Sequence, residues 1–180
     1  MRERIETLIR DYPKNKMELK CLEHQIRNFR GITEEEMVDS MYFTQPEGER
    51  VQTSGVSDKT ARIAMSYRER MDAINQDWYQ HLEKQYVSLA EEVGFFESAV
   101  KALQGKMGEV MQDMIFSQTS WDDLADKHYV SRRTIGRYRQ KAIDDLVVLY
   151  EKHEAEMLAY MFEQNQLRLS ATCAQYLYGG

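Results

Sequence analysis

An all-α protein is predicted by three features of this 180-residue chain. These are a shortage of chain breakers, one very long apolar stripe at helical period, and two adjoining helix signatures in the last third. Two prolines and nine glycines, against 30% charged and 42% hydrophobic residues, leave little turn chemistry for an all-β domain and too much apolar content for a disordered one. The expected architecture is an elongated helical hairpin with a long central helix, followed by a helix-turn-helix and a C-terminal helical extension. By position the chain divides into 1–56 (N-terminal helices and a long connection), 57–104 (central helix), 105–150 (helix-turn-helix) and 151–180 (extension).

Ile5, Leu8 and Ile9 form a short amphipathic segment over 3–10, expected to end before Pro13, which disfavours helix in the residue ahead of it. A second helix is predicted from Lys14 to Phe29, where Leu19, Leu22, Ile26 and Phe29 are spaced 3, 4 and 3. Gly31 is its expected stop. Residues 31–56 read as a long connection with a short helix around Thr33–Ser40. Its Glu34-Glu35-Glu36 run suits a solvated face better than a partner contact.

Ser57-Asp58 offers an N-cap for the central helix. The stripe Ile63, Tyr67, Met71, Ile74, Trp78, Leu82, Tyr86, Leu89, Val93, Phe96, Val100 and Leu103 takes eleven steps over 40 residues. That is about 3.6 residues per step, the α-helical period, and such a helix would be roughly 70 Å long. The stripe reads as packing surface, with the 14–30 helix folded back along it. Gly94 is its weak point, and Gln104-Gly105 ends it. A short helix over Lys106–Phe116 and a polar joint at Ser117–Ser120 follow.

Residues 120–146 have helix-turn-helix spacing. Thr119 or Ser120 can cap a first helix, with Asp122 and Asp123 in its first turn, where they favour the dipole. Leu124 and Ala125 point inward, Val130 is the buried residue of the turn, and Ser131 caps a second helix with inner residues Ile135, Tyr138, Ala142, Leu146 and Leu149. With Ile135 at 0° and about 100° per residue, Gln140 falls near 140°, Arg133 near 160°, Arg137 near 200° and Lys141 near 240°. Gly136, near 100° on the same wheel, leaves room for close approach. These side-chain types read guanine and adenine edges or hold phosphates, and Arg132 and Thr134 beside the cap suit phosphates. The turn position usually filled by glycine is Tyr129, so a left-handed conformation there would carry a steric cost.

Charge distribution supports this site. The chain has 24 basic and 30 acidic side chains, a formal charge of −6, yet residues 127–141 hold six basic and no acidic ones. The candidate DNA-binding set is therefore Lys127, Ser131, Arg132, Arg133, Thr134, Arg137, Gln140 and Lys141. The competing account is a solvated face or a protein-docking surface.

Trp121-Asp122-Asp123-Leu124-Ala125 through Ser131-Arg132-Arg133-Thr134-Ile135 to Ala142 resembles the helix-turn-helix of sigma-70 region 4. The phrase Arg50-Val51-Gln52-Thr53-Ser54-Gly55-Val56-Ser57-Asp58-Lys59-Thr60-Ala61, then a long helix, then this module, is similar to late-gene transcriptional regulators of Gram-positive bacteriophages of the ArpU and RinA type. The resemblance implies an activator that binds double-stranded DNA near a promoter and helps host RNA polymerase start late or packaging genes.

Other chemistry is not legible. His153-Glu154-Ala155-Glu156-Met157 lacks the second histidine of a zinc-protease helix. Gly105-Lys106 lacks the remainder of a phosphate loop. His24, His81, His128 and His153 are scattered, although His128 could touch phosphate from the turn. No nucleophile–base pair is readable, so no enzyme, metal or cofactor is expected. No signal segment or membrane span is visible, and Cys21 and Cys173 suit reduced core residues, so the expectation is a cytoplasmic protein of a bacterial host cell. Tyr150, His153, Met157, Tyr160 and Met161 continue the last helix, and Leu167, Leu169 and Tyr176-Leu177-Tyr178 suggest a docking segment. Packing on the chain's own long helix and homodimer formation are both open. Alternative functions are a protein-interaction module gripping host polymerase through the basic helix, and a DNA-packaging protein like a small terminase subunit.

Overall fold

The structure, a computed structural model, describes residues 1–37 and 58–178, with side chains through 37 and from 67 to 166. The regular elements among the described residues are helices: α1 (Arg2–Arg27), α2 (Asp58–Ala102), α3 (Gly105–Phe116), α4 (Trp121–His128) and α5 (Arg132–Tyr178), with a single helical turn over 34–37. The all-α class and the long central helix are those expected from sequence. No helix among the described residues is long and apolar enough to cross a membrane. Most of the Arg50–Ala61 phrase, including Val51–Gly55 and the Ser57 cap, lies outside the described residues. So do the remainder of the Thr33–Ser40 helix and the side chains of Cys173, Leu167, Leu169 and 176–178.

The chain divides into two compact units, Lys14–Glu92 and Met1–Pro13 with Val93–Gly180. In the first unit α1 and α2 form the expected antiparallel hairpin. Leu22 and Leu82 are buried, and Phe29 meets Trp78 and Tyr79 edge-on with ring centroids 5.2 and 5.3 Å apart. Beyond the α1 terminus, Asn75 of α2 grips the returning backbone. Its Oδ1 accepts from the Ile32 N–H at 2.7 Å and its Nδ2 donates to the Ile32 carbonyl at 3.1 Å. Gly31 there has φ +69°, and a Cβ on it would lie 2.7 Å from Asn75 Cγ. Gly31 thus turns the chain four residues after the helix has ended rather than stopping it. Thr33 and Glu36 form a reciprocal capping box, the Thr33 N–H donating to Glu36 Oε2 at 2.9 Å and the Glu36 N–H to Thr33 Oγ1 at 3.3 Å. That backbone bond, first, and the Thr33 hydroxyl hold the Glu36 carboxyl below its ordinary range.

The break expected at Pro13 does not occur, and α1 runs unbroken from Arg2 to Arg27. Ile5, Leu8, Tyr12, Leu19, Leu22 and Ile26 share one stripe, with Ile5, Leu8, Tyr12 and Leu22 buried, while Pro13 lies on the exposed side. Its ring and missing N–H therefore disturb only the solvated face. Cys21, expected in the core, is exposed because it falls between the inward positions Leu19 and Leu22.

In the other unit Ile5, Val93, Phe96, Ala99, Val100 and Leu103 build a core with Met111 and Ile115 of α3. Tyr12 lies between Phe96 and Phe116, and its hydroxyl donates to Glu97 Oε1 at 2.8 Å. Gly108 of α3 is buried, and a Cβ there would stand 2.1 Å from the Leu103 carbonyl oxygen, so only glycine lets α3 follow α2 so closely.

Candidate nucleic-acid interface

The last part of the second unit is the helix-turn-helix. Val110 of α3, Leu124 of α4 and Ile135 of α5 are fully buried against one another, with Met114, Ala125, Val130 and Tyr138 packed around them. Each helix contributes one residue to this junction, which fixes α5 by its inner face. Ala142, Ile143, Leu146 and Tyr150 extend that face along α5. Ile143 is an inner residue that lies outside the periodic set expected from sequence.

The two caps are those the sequence predicts. Ser120 Oγ accepts from the Asp123 N–H at 3.3 Å and donates to Asp123 Oδ2 at 2.7 Å. Ser131 Oγ accepts from the Thr134 N–H at 3.2 Å and lies 2.9 Å from Thr134 Oγ1. Between them Tyr129 does adopt the left-handed region, φ 53° and ψ 46°. The Tyr129 N–H donates to the Asp126 carbonyl at 3.3 Å and the Val130 N–H to the Ala125 carbonyl at 3.0 Å. This is a Schellman ending, with Val130 and Ala125 as its apolar pair. The turn keeps its glycine-type shape without glycine.

The candidate residues separate into two groups. Arg133, Arg137, Gln140 and Lys141 are all exposed on the outer arc of α5, and among the described residues none has an ion-pair or hydrogen-bond partner. The others are engaged within the fold. Arg132 pairs with Asp122, and the Ser131 and Thr134 hydroxyls bond each other. Lys127 Nζ donates to Asp113 Oδ1 at 2.8 Å, and His128 Nε2 meets Asp113 Oδ2 at 2.7 Å. His128 is buried, which corrects the expectation that it touches phosphate from the turn. Asp113 in α3 thus ties down the C-terminal end of α4. The Lys127 hydrogen bond, ahead of that from His128, holds its carboxyl below the ordinary range despite partial burial. No local pattern marks Asp113, because its partners lie 14 and 15 residues away.

Gly136, expected from its place on the wheel to leave open room for close approach, is covered on its Cα side by a neighbouring ring. That ring belongs to Trp121, and a Cβ at Gly136 would stand 3.7 Å from it. Further along, α5 is held in this unit by Phe95, which meets Tyr150 edge-on at 4.7 Å and stacks on His153 at 4.0 Å. Arg4 pairs with Glu154 at 2.8 Å, and Arg2 pairs with Asp144. Beyond them Met157, Leu158, Tyr160, Met161 and Phe162 are exposed. No protein-family model matches the chain, and no curated protein or solved structure matches it.

Proposed function

We propose that the chain is a sequence-specific regulator of transcription that binds double-stranded DNA through α5. More specifically, it activates phage late or packaging genes with host RNA polymerase, in the bacterial cytoplasm. The observation that supports this most is the outer arc of α5: two arginines, a glutamine and a lysine exposed and uncommitted, on a helix whose opposite face is buried from Ile135 to Leu146. A helix presented this way, in a helix-turn-helix, has the chemistry to enter a major groove. The likeness of residues 121–142 to sigma-70 region 4, and of the Val51–Gly55 phrase to ArpU- and RinA-type regulators, supplies the finer reading.

The experiment is selection of bound fragments from a phage genome carrying this sequence, followed by sequencing. Enrichment of late-promoter fragments is the expected result, and enrichment of packaging-site fragments favours the terminase-like alternative. On the enriched site Arg137→Ala is expected to cost about 1–3 kcal/mol more than on a random-sequence duplex, because it removes a bidentate hydrogen bond to a base edge as well as a positive charge. An equal weakening on every sequence would assign Arg137 to phosphate alone.

A second reading, a protein-interaction module for host polymerase, is favoured by the exposed apolar run from Met157 to Phe162. Capture of purified polymerase with no DNA retained at low salt would select it.

A further inference from the structure

Tyr129 is held in a conformation that costs a residue with a Cβ about five- to thirty-fold in the folding equilibrium. Its side chain is 93% exposed, the most exposed of the large apolar side chains described. No hydrogen bond or ring contact holds its phenol among the described residues. Among the described residues, glycine fills two other left-handed positions, Gly31 and Gly105, and the remaining one, Gln118, carries a polar side chain at home in water. At Tyr129 the Schellman hydrogen bonds hold the left-handed backbone, but the aromatic ring is left in solvent, with no partner among the described residues.

The position points to an external partner. Tyr129 stands two residues before the Ser131 cap of α5, at the same end of that helix as the uncommitted Arg133, in a 15-residue stretch of sequence without Asp or Glu. A phenol presented there can donate to a phosphate oxygen flanking the groove that α5 enters, a contact that positions rather than specifies. We infer that Tyr129 is a phosphate-contacting residue of the DNA interface, acting through its hydroxyl. This rests on the DNA-binding reading of α5.

The test compares the full chain with Tyr129→Phe, Tyr129→Gly and Arg137→Ala, titrating a random-sequence 30-base-pair duplex at several salt concentrations. Tyr129→Phe is expected to weaken binding about three- to ten-fold, the worth of one hydrogen bond. It should leave the slope of log K against log salt unchanged, because a neutral hydroxyl releases no counterion. Tyr129→Gly should bind as weakly while its folding equilibrium gains about five-fold or more. If Arg137→Ala weakens binding and both tyrosine variants bind like the parent, this inference fails alone, and the ring is left to a protein surface. If the parent protein does not bind the duplex, the inference falls together with the DNA-binding reading.

Discussion

Lys127 and His128 adjoin in sequence, and both give their polar atoms to the Asp113 carboxylate. The carboxyl is held low by these partners, which sets the sign of a pH effect. A lowered folded-state value contributes stability that is present above the unfolded carboxylate range, near pH 4, and is lost as pH falls through the folded value. The helix-turn-helix is thus expected to lose stability below about pH 4. Asp113→Asn should flatten that acid limb and cost about 1–3 kcal/mol at neutral pH, both readable by denaturant melts across pH. Two glycines make a second test at this scale. Gly108→Ala places a methyl 2.1 Å from the Leu103 carbonyl and should destabilise by about 3 kcal/mol or more. Gly136→Ala meets only ordinary contact with Trp121 at 3.7 Å and should stabilise by about 0.5–1 kcal/mol through helix propensity. The same substitution in one domain gives opposite signs, and a calorimetric melt of each variant checks both.

At the scale of elements, the period of the apolar stripe and the caps at Ser120 and Ser131 were legible, because both are local and depend on residues within a turn of one another. The ends of α2 and α3 accordingly match the expectation to within a residue or two. Pro13 misled because a proline's effect depends on which side of the helix it occupies. Tyr12 completes a stripe that carries the inward face past it, and this becomes visible only when residues 5–26 are read as one heptad-like series. Replacing Pro13 with alanine should restore the N–H missing from the helix interior and raise stability by about 2 kcal/mol, after allowing for the greater freedom of the unfolded chain. A chemical-denaturation curve reads this directly, and no gain would mean that the helix is already relieved at this point. Of the candidate interface, the outer arc of α5 was legible from helical angles alone. The commitments of Lys127 and Arg132 were not, since their carboxylate partners sit on other helices and no sequence spacing encodes such pairs.

For the molecule as a whole, the formal charge of −6 gives little hint of DNA affinity, and its distribution gives more. Six basic side chains concentrated in residues 127–141 leave the remaining 165 residues with 18 basic and 30 acidic ones. Long-range repulsion from the acidic remainder should restrict productive approach to the exposed arc of α5 and make association steeply salt-dependent. In the proposed function, Arg133, Arg137 and Lys141, exposed and uncommitted in the fold, displace counterions from duplex DNA. The most direct measurement is the salt dependence of duplex binding for the parent chain and for a variant with all three replaced by alanine. Tight binding at low salt is expected, with a slope of log K against log salt about 2.7 shallower in the variant, from about 0.9 for each phosphate no longer neutralised. An unchanged slope in the variant, or no duplex binding by the parent protein at low salt, would contradict this reading.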